Sequence, residues 1–368
     1  MRRAGFGLLL MNAALAALLQ LAAPSQPVRS DRVEYEYAGA HGLEPGCPHD
    51  VYCYRVLVPV ILEHVPLHPD LRWRVFGSGA KALSAFIVGG VVGSLTPVPY
   101  APWLASWIAQ TTFGFTLTAY DPYTADPFVF LAAALLLLAW MNNSLWLAVV
   151  VSVVGVFAKE TVLLLAGSVA LAAIWYRREQ RQWMLWVGQA VLCAITLFAL
   201  HWIMDTYFEW GIARNQASKF WEGAWLAVWY ENMDSYRRIL FLLFIPFGLI
   251  WLFILPGYRT AAPRLRALAA GALLPILALN YVQNPERALG NGFFVAVPLA
   301  TLALVQLPAA LAWMVALTNG LVTAKAGLST AWLPSTVVLL LPAVVSAGLG
   351  LWRLRVWAAW GSNPRPPD

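Results

Sequence analysis

Charge is what this chain has least of. Only 11% of its 368 residues are Asp, Glu, Lys or Arg, against roughly 25% in a soluble domain. That shortfall excludes an ordinary soluble fold and any domain count based on length. Stretches of alternating polarity about ten residues long, the mark of an outer-membrane barrel, are absent. So are a Gly-x-x-x-x-Gly-Lys phosphate loop and a dinucleotide fingerprint, which leaves a nucleotide-driven reaction without support. The HExxH and Gly-x-Ser-x-Gly motifs are missing too. The 24 Lys and Arg give a net charge of +6, but they are scattered through short loops. No basic stripe forms, and no nucleic-acid partner is expected. Internal repeats and low-complexity tracts are also lacking.

What is present is membrane-grade sequence. Of the residues, 60% are hydrophobic and 19 are Trp, and the mean hydropathy is +0.66. The predicted fold is all-α: a polytopic transmembrane helix bundle of about ten to twelve spans, at roughly twenty apolar residues each. It forms a single integral-membrane domain over residues 1–368. Met1-Arg-Arg and the apolar run 4–23 read as a retained first helix or a cleaved signal peptide, and Pro24 disfavours cleavage after Ala23. Residues 24–70 form a first large extracytoplasmic loop, polar over 25–54. Within it, 55–65 is apolar but too short to span, and suits a helix lying in the interface. Cys47 and Cys53 fall in this loop, as a disulfide or as two free thiols. Cys193 reads as a small core residue. His41, His49, His64 and His68 gather in or beside the same loop, but Pro66 separates the one helically spaced pair.

Further spans follow over 75–95 (carrying Lys81), 101–118, 128–141, 145–157 and 161–176, with a tight turn at Asn142-Asn143-Ser144. Several of these fall short of twenty residues, as expected of helices that stop part-way and leave a cavity at one face. Residues 183–204 span fully. Residues 205–238 make a second large loop rich in Trp and Tyr. Spans over 239–258 and 267–281 come next, and then two or three more within 292–352.

With the amino terminus inside, alternation places Arg2, Arg3, Arg177, Arg259, Arg266 and Arg353 on the cytoplasmic side, as the positive-inside rule requires. It also places every one of the 18 acidic residues outside except Glu179 and Asp368. Acids do not set topology, so this asymmetry needs its own cause. Four outer corners carry it: Asp31 to Glu36, Asp121 with Asp126, Lys159-Glu160, and Glu286-Arg287. Two of the four are very short turns between apolar runs, where a charge costs roughly 2.5–3.5 kcal/mol at a helix centre. The pattern predicts an outward-facing polar site rather than solvated loops alone.

Such a site suits an anionic lipid headgroup. Lys and Arg hold a phosphate, with Arg able to do so bidentately. A carboxylate can accept the proton of an attacking hydroxyl. Alternatively, paired carboxylates can hold a divalent cation (Mg or Mn) that neutralises a leaving phosphate.

The order of these features is informative. Asp31, Tyr35 and Ala38 are followed by Tyr54-Arg55-Val-Leu57-Val-Pro59. The Asp121…Asp126-Pro127 corner, Ala158-Lys159-Glu160-Thr161 and Pro285-Glu286-Arg287 come after it. This order resembles the GT-C superfamily of integral-membrane glycosyltransferases. The resemblance implies transfer of a hexose or pentose from a polyprenyl-phosphate-linked sugar to an extracytoplasmic glycan, lipid or protein acceptor, with inversion. It places the catalytic base at Asp31, with Glu34 and Glu36 as competitors, and the donor phosphate on Lys159, Arg55 and Arg287. Asp121, Asp126, Glu160 and Glu286 would shape the pocket or hold a cation. Membrane lipid would surround the bundle in the inner (cytoplasmic) membrane, with the site on the periplasmic or extracellular side. The chain departs from the pattern in lacking an adjacent acidic pair in the first loop. It also has no large soluble domain after the membrane part, so residues 205–238 would supply the acceptor surface. The alternatives are a polytopic transporter or lipid flippase, and a non-catalytic envelope-assembly subunit.

Overall fold

The computed structural model describes residues 2–24, 30–41, 55–177, 181–207, 244–278, 289–328 and 333–359. Every regular element among them is helical. In chain order these are α1 (Arg2–Ala22), α2 (Ser30–His41), α3 (Leu57–Glu63), α4 (Pro69–Leu95), α5 (Ala101–Thr111), α6 (Phe113–Tyr120), α7 (Asp126–Met141) and α8 (Leu145–Gly155). Then come α9 (Val162–Arg177), α10 (Trp183–Tyr207), α11 (Trp251–Thr260), α12 (Pro263–Ala278), α13 (Phe293–Leu304), α14 (Ala309–Leu328) and α15 (Thr336–Ala359). Short 3₁₀ turns at Gly248–Ile250 and Gly290–Gly292 lead into α11 and α13.

Five of these helices (α1, α4, α10, α14 and α15) are long and apolar enough to cross a membrane. Large apolar side chains stand exposed along two of them: Phe198 and Trp202 on α10, Leu341 and Trp352 on α15. An exposed apolar surface of this extent is what a lipid-facing protein presents. Other helices are short. The 16 residues of α7 reach about 24 Å, and the 11 of α8 about 16 Å, against roughly 30 Å of hydrocarbon.

Small residues set the packing distances. Ala132, Ala133, Ala134 and Ala139 of α7 are buried at the centre of the main core. At Gly271 of α12, an added Cβ would overlap the Ser168 carbonyl and Ala172 of α9. At Gly257 of α11 it would overlap the Leu299 carbonyl of α13. Close backbone approach of this kind is how helices associate when lipid removes the hydrophobic drive between them.

The run expected as one span over 101–118 is two helices, broken at Thr112, whose backbone is extended (φ −61°, ψ 152°). A break inside hydrocarbon survives only if the freed backbone groups find partners. Here Thr323 donates its hydroxyl to the Thr111 carbonyl (2.5 Å), and the Phe113 N–H bonds to the Pro246 carbonyl (3.2 Å). Asn319 braces the neighbouring chain by donating to the Phe247 carbonyl (3.1 Å) and accepting from the Leu249 N–H (2.6 Å).

Two other expectations change. The polar run over 25–54 contains a helix, α2. The span expected from residue 75 begins at Pro69, so Asp70, Arg72 and Arg74 belong to its first turns. Residues 292–352, read as two or three spans, hold three helices among the described residues. The turn at Asn142–Ser144 stands as expected, with Asn143 in the left-handed region (φ 58°).

Polar links sort the helix ends into two groups. At one end, Trp140 Nε1 donates to the Arg264 carbonyl (2.8 Å) and Arg264 Nη1 to the Met141 carbonyl (2.8 Å). There too Gln306 reaches the Thr260 hydroxyl (3.2 Å) and Tyr100 the Leu307 carbonyl (3.4 Å). This is the arginine end. At the other, the end of α1 meets the end of α6 through Gln20 and the Ala119 carbonyl (2.7 Å). Most described acidic residues gather there, which makes it the acidic end.

Candidate functional site at the acidic end

The acidic end is built on a small aromatic core separate from the main one. Tyr35 of α2, Val58 and Leu62 of α3, Trp73 of α4, Tyr123, Ala125 and Ala158 form it. The Trp73 indole is its centre, with Tyr35 at 5.4 Å, Tyr123 at 5.5 Å and Phe76 edge-on at 6.3 Å. Such ring pairs contribute about 0.5–1.5 kcal/mol each beyond their burial. Five segments remote in sequence thereby share one anchor.

Charged groups sit on this platform in pairs. Arg55 makes a two-pronged contact with Glu160, Nε to Oε2 at 3.1 Å and Nη2 to Oε1 at 2.6 Å. Its third nitrogen, Nη1, donates to the Tyr35 hydroxyl (3.4 Å). The Leu57 N–H bonds to the Phe157 carbonyl (3.0 Å), which fixes the strand of chain carrying Arg55 against the Lys159-Glu160 corner. Burial works to raise the Glu160 carboxyl, but the Arg55 charge and hydrogen bond outweigh it and hold it down at about 2. The same contact raises the Arg55 guanidinium well above its ordinary value despite burial.

Lys159 is ion-paired to Asp126, the first residue of α7. The Asp126 side chain is only 3% exposed. Its position at a helix N-terminus favours the carboxylate through the helix dipole, and its N–H bonds to the Thr124 hydroxyl (3.3 Å). Asp121 is buried at the end of α6, where its N–H closes the last turn on the Leu117 carbonyl (2.7 Å). The Thr161 hydroxyl, two residues beyond Lys159, is buried with no hydrogen-bond partner among the described residues.

A second cluster adjoins. Arg32 of α2 lies over the Tyr123 ring (4.7 Å) and pairs with Glu36 (3.0 Å) and Asp70 (3.2 Å). Burial and donation to Asp70 push the Tyr123 phenol above its ordinary range. Arg72 grips Glu63 through its side chain and its carbonyl (3.1 Å), which pins α3 to α4.

The expected site residues therefore fall into three groups. Arg55, Asp126, Lys159 and Glu160 meet on the platform, with Glu34 half-buried on α2 and Asp121 at the adjacent helix end. Asp31 lies in the first turn of α2, and its side chain lies outside the described residues. Arg287, Glu286, Cys47 and Cys53, and most of 205–238, also lie outside them. Among the described residues no group of three or more His, Cys, Asp or Glu is arranged to hold a metal ion. Of the residues foreseen as cationic ligands and acidic pocket walls, Arg55 is paired with Glu160 and Lys159 with Asp126.

Sequence reasoning passed over Arg32, Asp70, Trp73 and Tyr123. An aromatic between Arg72 and Arg74, and a Tyr inside the Asp121–Asp126 corner, were available signals. It also passed over Lys81 as a functional group. Lys81 is 1% exposed, about 18 Å along α4 from Pro69 at 1.5 Å per residue. Its ammonium donates to the Phe115 carbonyl of α6 (3.2 Å), three residues past the helix break. An ionisable side chain at such depth marks a functional site by default.

Fold and site together define an all-helical protein with several helices fit to cross a membrane and a charged platform at one end of the bundle. No family model, no curated protein and no solved structure matches the chain.

Proposed function

We propose that the protein is a GT-C-like glycosyltransferase of about ten to twelve spans, embedded in the inner membrane, with α3 lying in the interface of the first outer loop. The acidic end faces the periplasm or extracellular space. There a hexose or pentose passes, with inversion, from a polyprenyl-phosphate donor to a glycan, lipid or protein acceptor. The observation that carries this reading is the convergence of α2, residues 55–57, the start of α4, the 121–126 corner and the Lys159-Glu160 corner on one aromatic platform.

Asp31, with Glu34 as the alternative, accepts the acceptor hydroxyl proton as general base. Lys159, Arg55 and Arg287 hold the donor phosphate. The ion pairs give this a physical form. Lys159 has three N–H donors, and a phosphate arriving beside it exchanges with or joins Asp126. Arg55 presents a planar fork that fits phosphate as well as it fits Glu160. The acids Asp121, Asp126, Glu160 and Glu286 keep the cations ordered before the donor enters, and a divalent cation, Mg or Mn, is a candidate partner for them.

Purified protein incubated with a panel of polyprenyl-phosphate sugars is expected to release lipid phosphate. Asp31→Ala should abolish release without unfolding the bundle, and full activity in that variant removes Asp31 from the mechanism.

A transporter or flippase is the second reading, and one observation favours it: Lys81 buried beside the broken α5–α6 pair. Interrupted helices near the bilayer midplane line substrate sites in many transporters. Lys81→Met separates the two readings. It stops substrate movement in a transporter and leaves lipid-phosphate release by a transferase within a few-fold.

A further inference from the structure

The arginine end holds a feature that the acidic-end chemistry does not use. A cavity of about 320 Å³ opens there, lined by Trp175 and Tyr176 from the end of α9, Tyr258 from α11, and Pro263, Arg266 and Ala267 from the start of α12. Ligand pockets begin at roughly 300 Å³. Its aromatic walls belong to helix ends, the level at which Trp and Tyr rings sit in a membrane interface. Trp175 is 74% exposed and so is poorly explained as packing.

The arginines around the cavity divide by use. Arg264 is committed to structure, its guanidinium on the Met141 carbonyl and its own carbonyl on Trp140. Arg266, two residues on, projects from the cavity wall. Arg259 directly follows the lining residue Tyr258. Both are exposed, and neither is in an ion pair among the described residues. At the acidic end, by contrast, Arg32, Arg55, Arg72 and Lys159 all have carboxylate partners. The only acids that alternation gives the arginine end are Glu179 and Asp368.

We infer that this cavity binds the phosphate of an anionic phospholipid headgroup, with Arg266 as its cationic ligand, Arg259 adding positive charge next to the lining Tyr258, and Trp175, Tyr176 and Tyr258 flanking the glycerol and upper acyl carbons. A phosphate diester meets guanidinium well. A basic pocket between helix ends at headgroup depth is where anionic lipid is recognised. The inference is independent of the transferase reading, because it concerns the opposite end of the bundle and its test does not read transfer.

The test is native mass spectrometry of the full chain released from micelles, titrated with phosphatidylglycerol, cardiolipin or phosphatidylcholine. Inorganic phosphate at millimolar concentration is the competing arm. The wild type is expected to retain the anionic lipids selectively. Affinity should fall roughly fivefold for Arg266→Gln, less for Arg259→Gln, and most for the pair. Arg266→Lys should recover most of the loss at that position. Arg181→Gln, an exposed arginine of the same end that neither lines the cavity nor adjoins a lining residue in sequence, should change nothing. Elution of each variant at the wild-type position excludes misfolding as the cause. The inference is overturned by equal retention of phosphatidylcholine, by an unaffected double variant, or by an equal loss in Arg181→Gln. Displacement of the lipid by inorganic phosphate would overturn it too, by making the cavity a site for free phosphate.

Discussion

The two ends of this bundle treat charge in opposite ways. At the acidic end Arg32, Arg55, Arg72 and Lys159 are each matched to a carboxylate, and a tryptophan-centred core beneath holds the pairs in place. At the arginine end, Arg259 and Arg266 are in no ion pair among the described residues, and the helix ends are linked through backbone carbonyls instead. The lesson is that unpaired charge here is directed to the surroundings, whereas paired charge is internal architecture that a ligand must rearrange. A disruption at the acidic end should therefore cost stability, and the same disruption at the arginine end should not.

The largest effect is expected from separating Lys159 and Asp126. Lys159→Met leaves a carboxylate that is 3% exposed without its cation, and breaking a buried pair by removing one partner costs about 3–5 kcal/mol. A thermal melt followed by tryptophan fluorescence reads it, and an unchanged melting temperature would show that the pair contributes no stability. The double change Lys159→Met with Asp126→Asn should recover much of the loss.

Arg55→Gln comes next. Losing hydrogen bonds to a charged group costs about 1.5–3 kcal/mol. The low end applies here, because the Glu160 side chain is 37% exposed and water screens it. Glu160 also gives a pH signature. Its carboxyl is held at about 2 in the folded protein against an ordinary 4.5. A depressed acid stabilises the fold fully above the ordinary value and loses that contribution as pH falls toward the folded one. Melting temperatures should drop between about pH 5 and pH 2, and Glu160→Gln should flatten part of that slope. An identical slope in the variant would remove Glu160 as a source.

The smallest effect belongs to the arginine end. Arg259→Gln and Arg266→Gln should each stay within about 0.5 kcal/mol of the wild type, although Arg266 lines the proposed lipid cavity. A larger destabilisation in detergent without added lipid would mean that these arginines have structural partners after all.

Part of this contrast was legible in the sequence. Apolar runs, basic corners and the Asn142–Ser144 turn gave the helical membrane class and the sorting of charges to two ends, because periodicity and turn chemistry are local signals. The break at Thr112 was not legible. Two threonines inside an apolar run carry no breaker signal, and the groups that tolerate the break, Thr323 and Pro246, lie more than a hundred residues away. Nor was α2 visible inside a polar loop, since its largest buried residue, Tyr35, rests on Trp73 rather than on a long apolar stripe. The charges were found as a set, but their pairing was not. Arg55 meets Glu160 across a separation of 105 residues, and nothing in either local sequence names the other.

In the proposed transfer reaction the two ends of the bundle face opposite compartments. Cysteine labelling in intact cells tests that directly, in a chain with Cys47, Cys53 and Cys193 replaced by serine. Ala40→Cys, exposed on α2, should react with a membrane-impermeant maleimide from outside, while Arg181→Cys should react only after the membrane is opened. Labelling of both positions in sealed cells, or of Arg181→Cys alone, would contradict the orientation on which the proposed transfer at the acidic end depends.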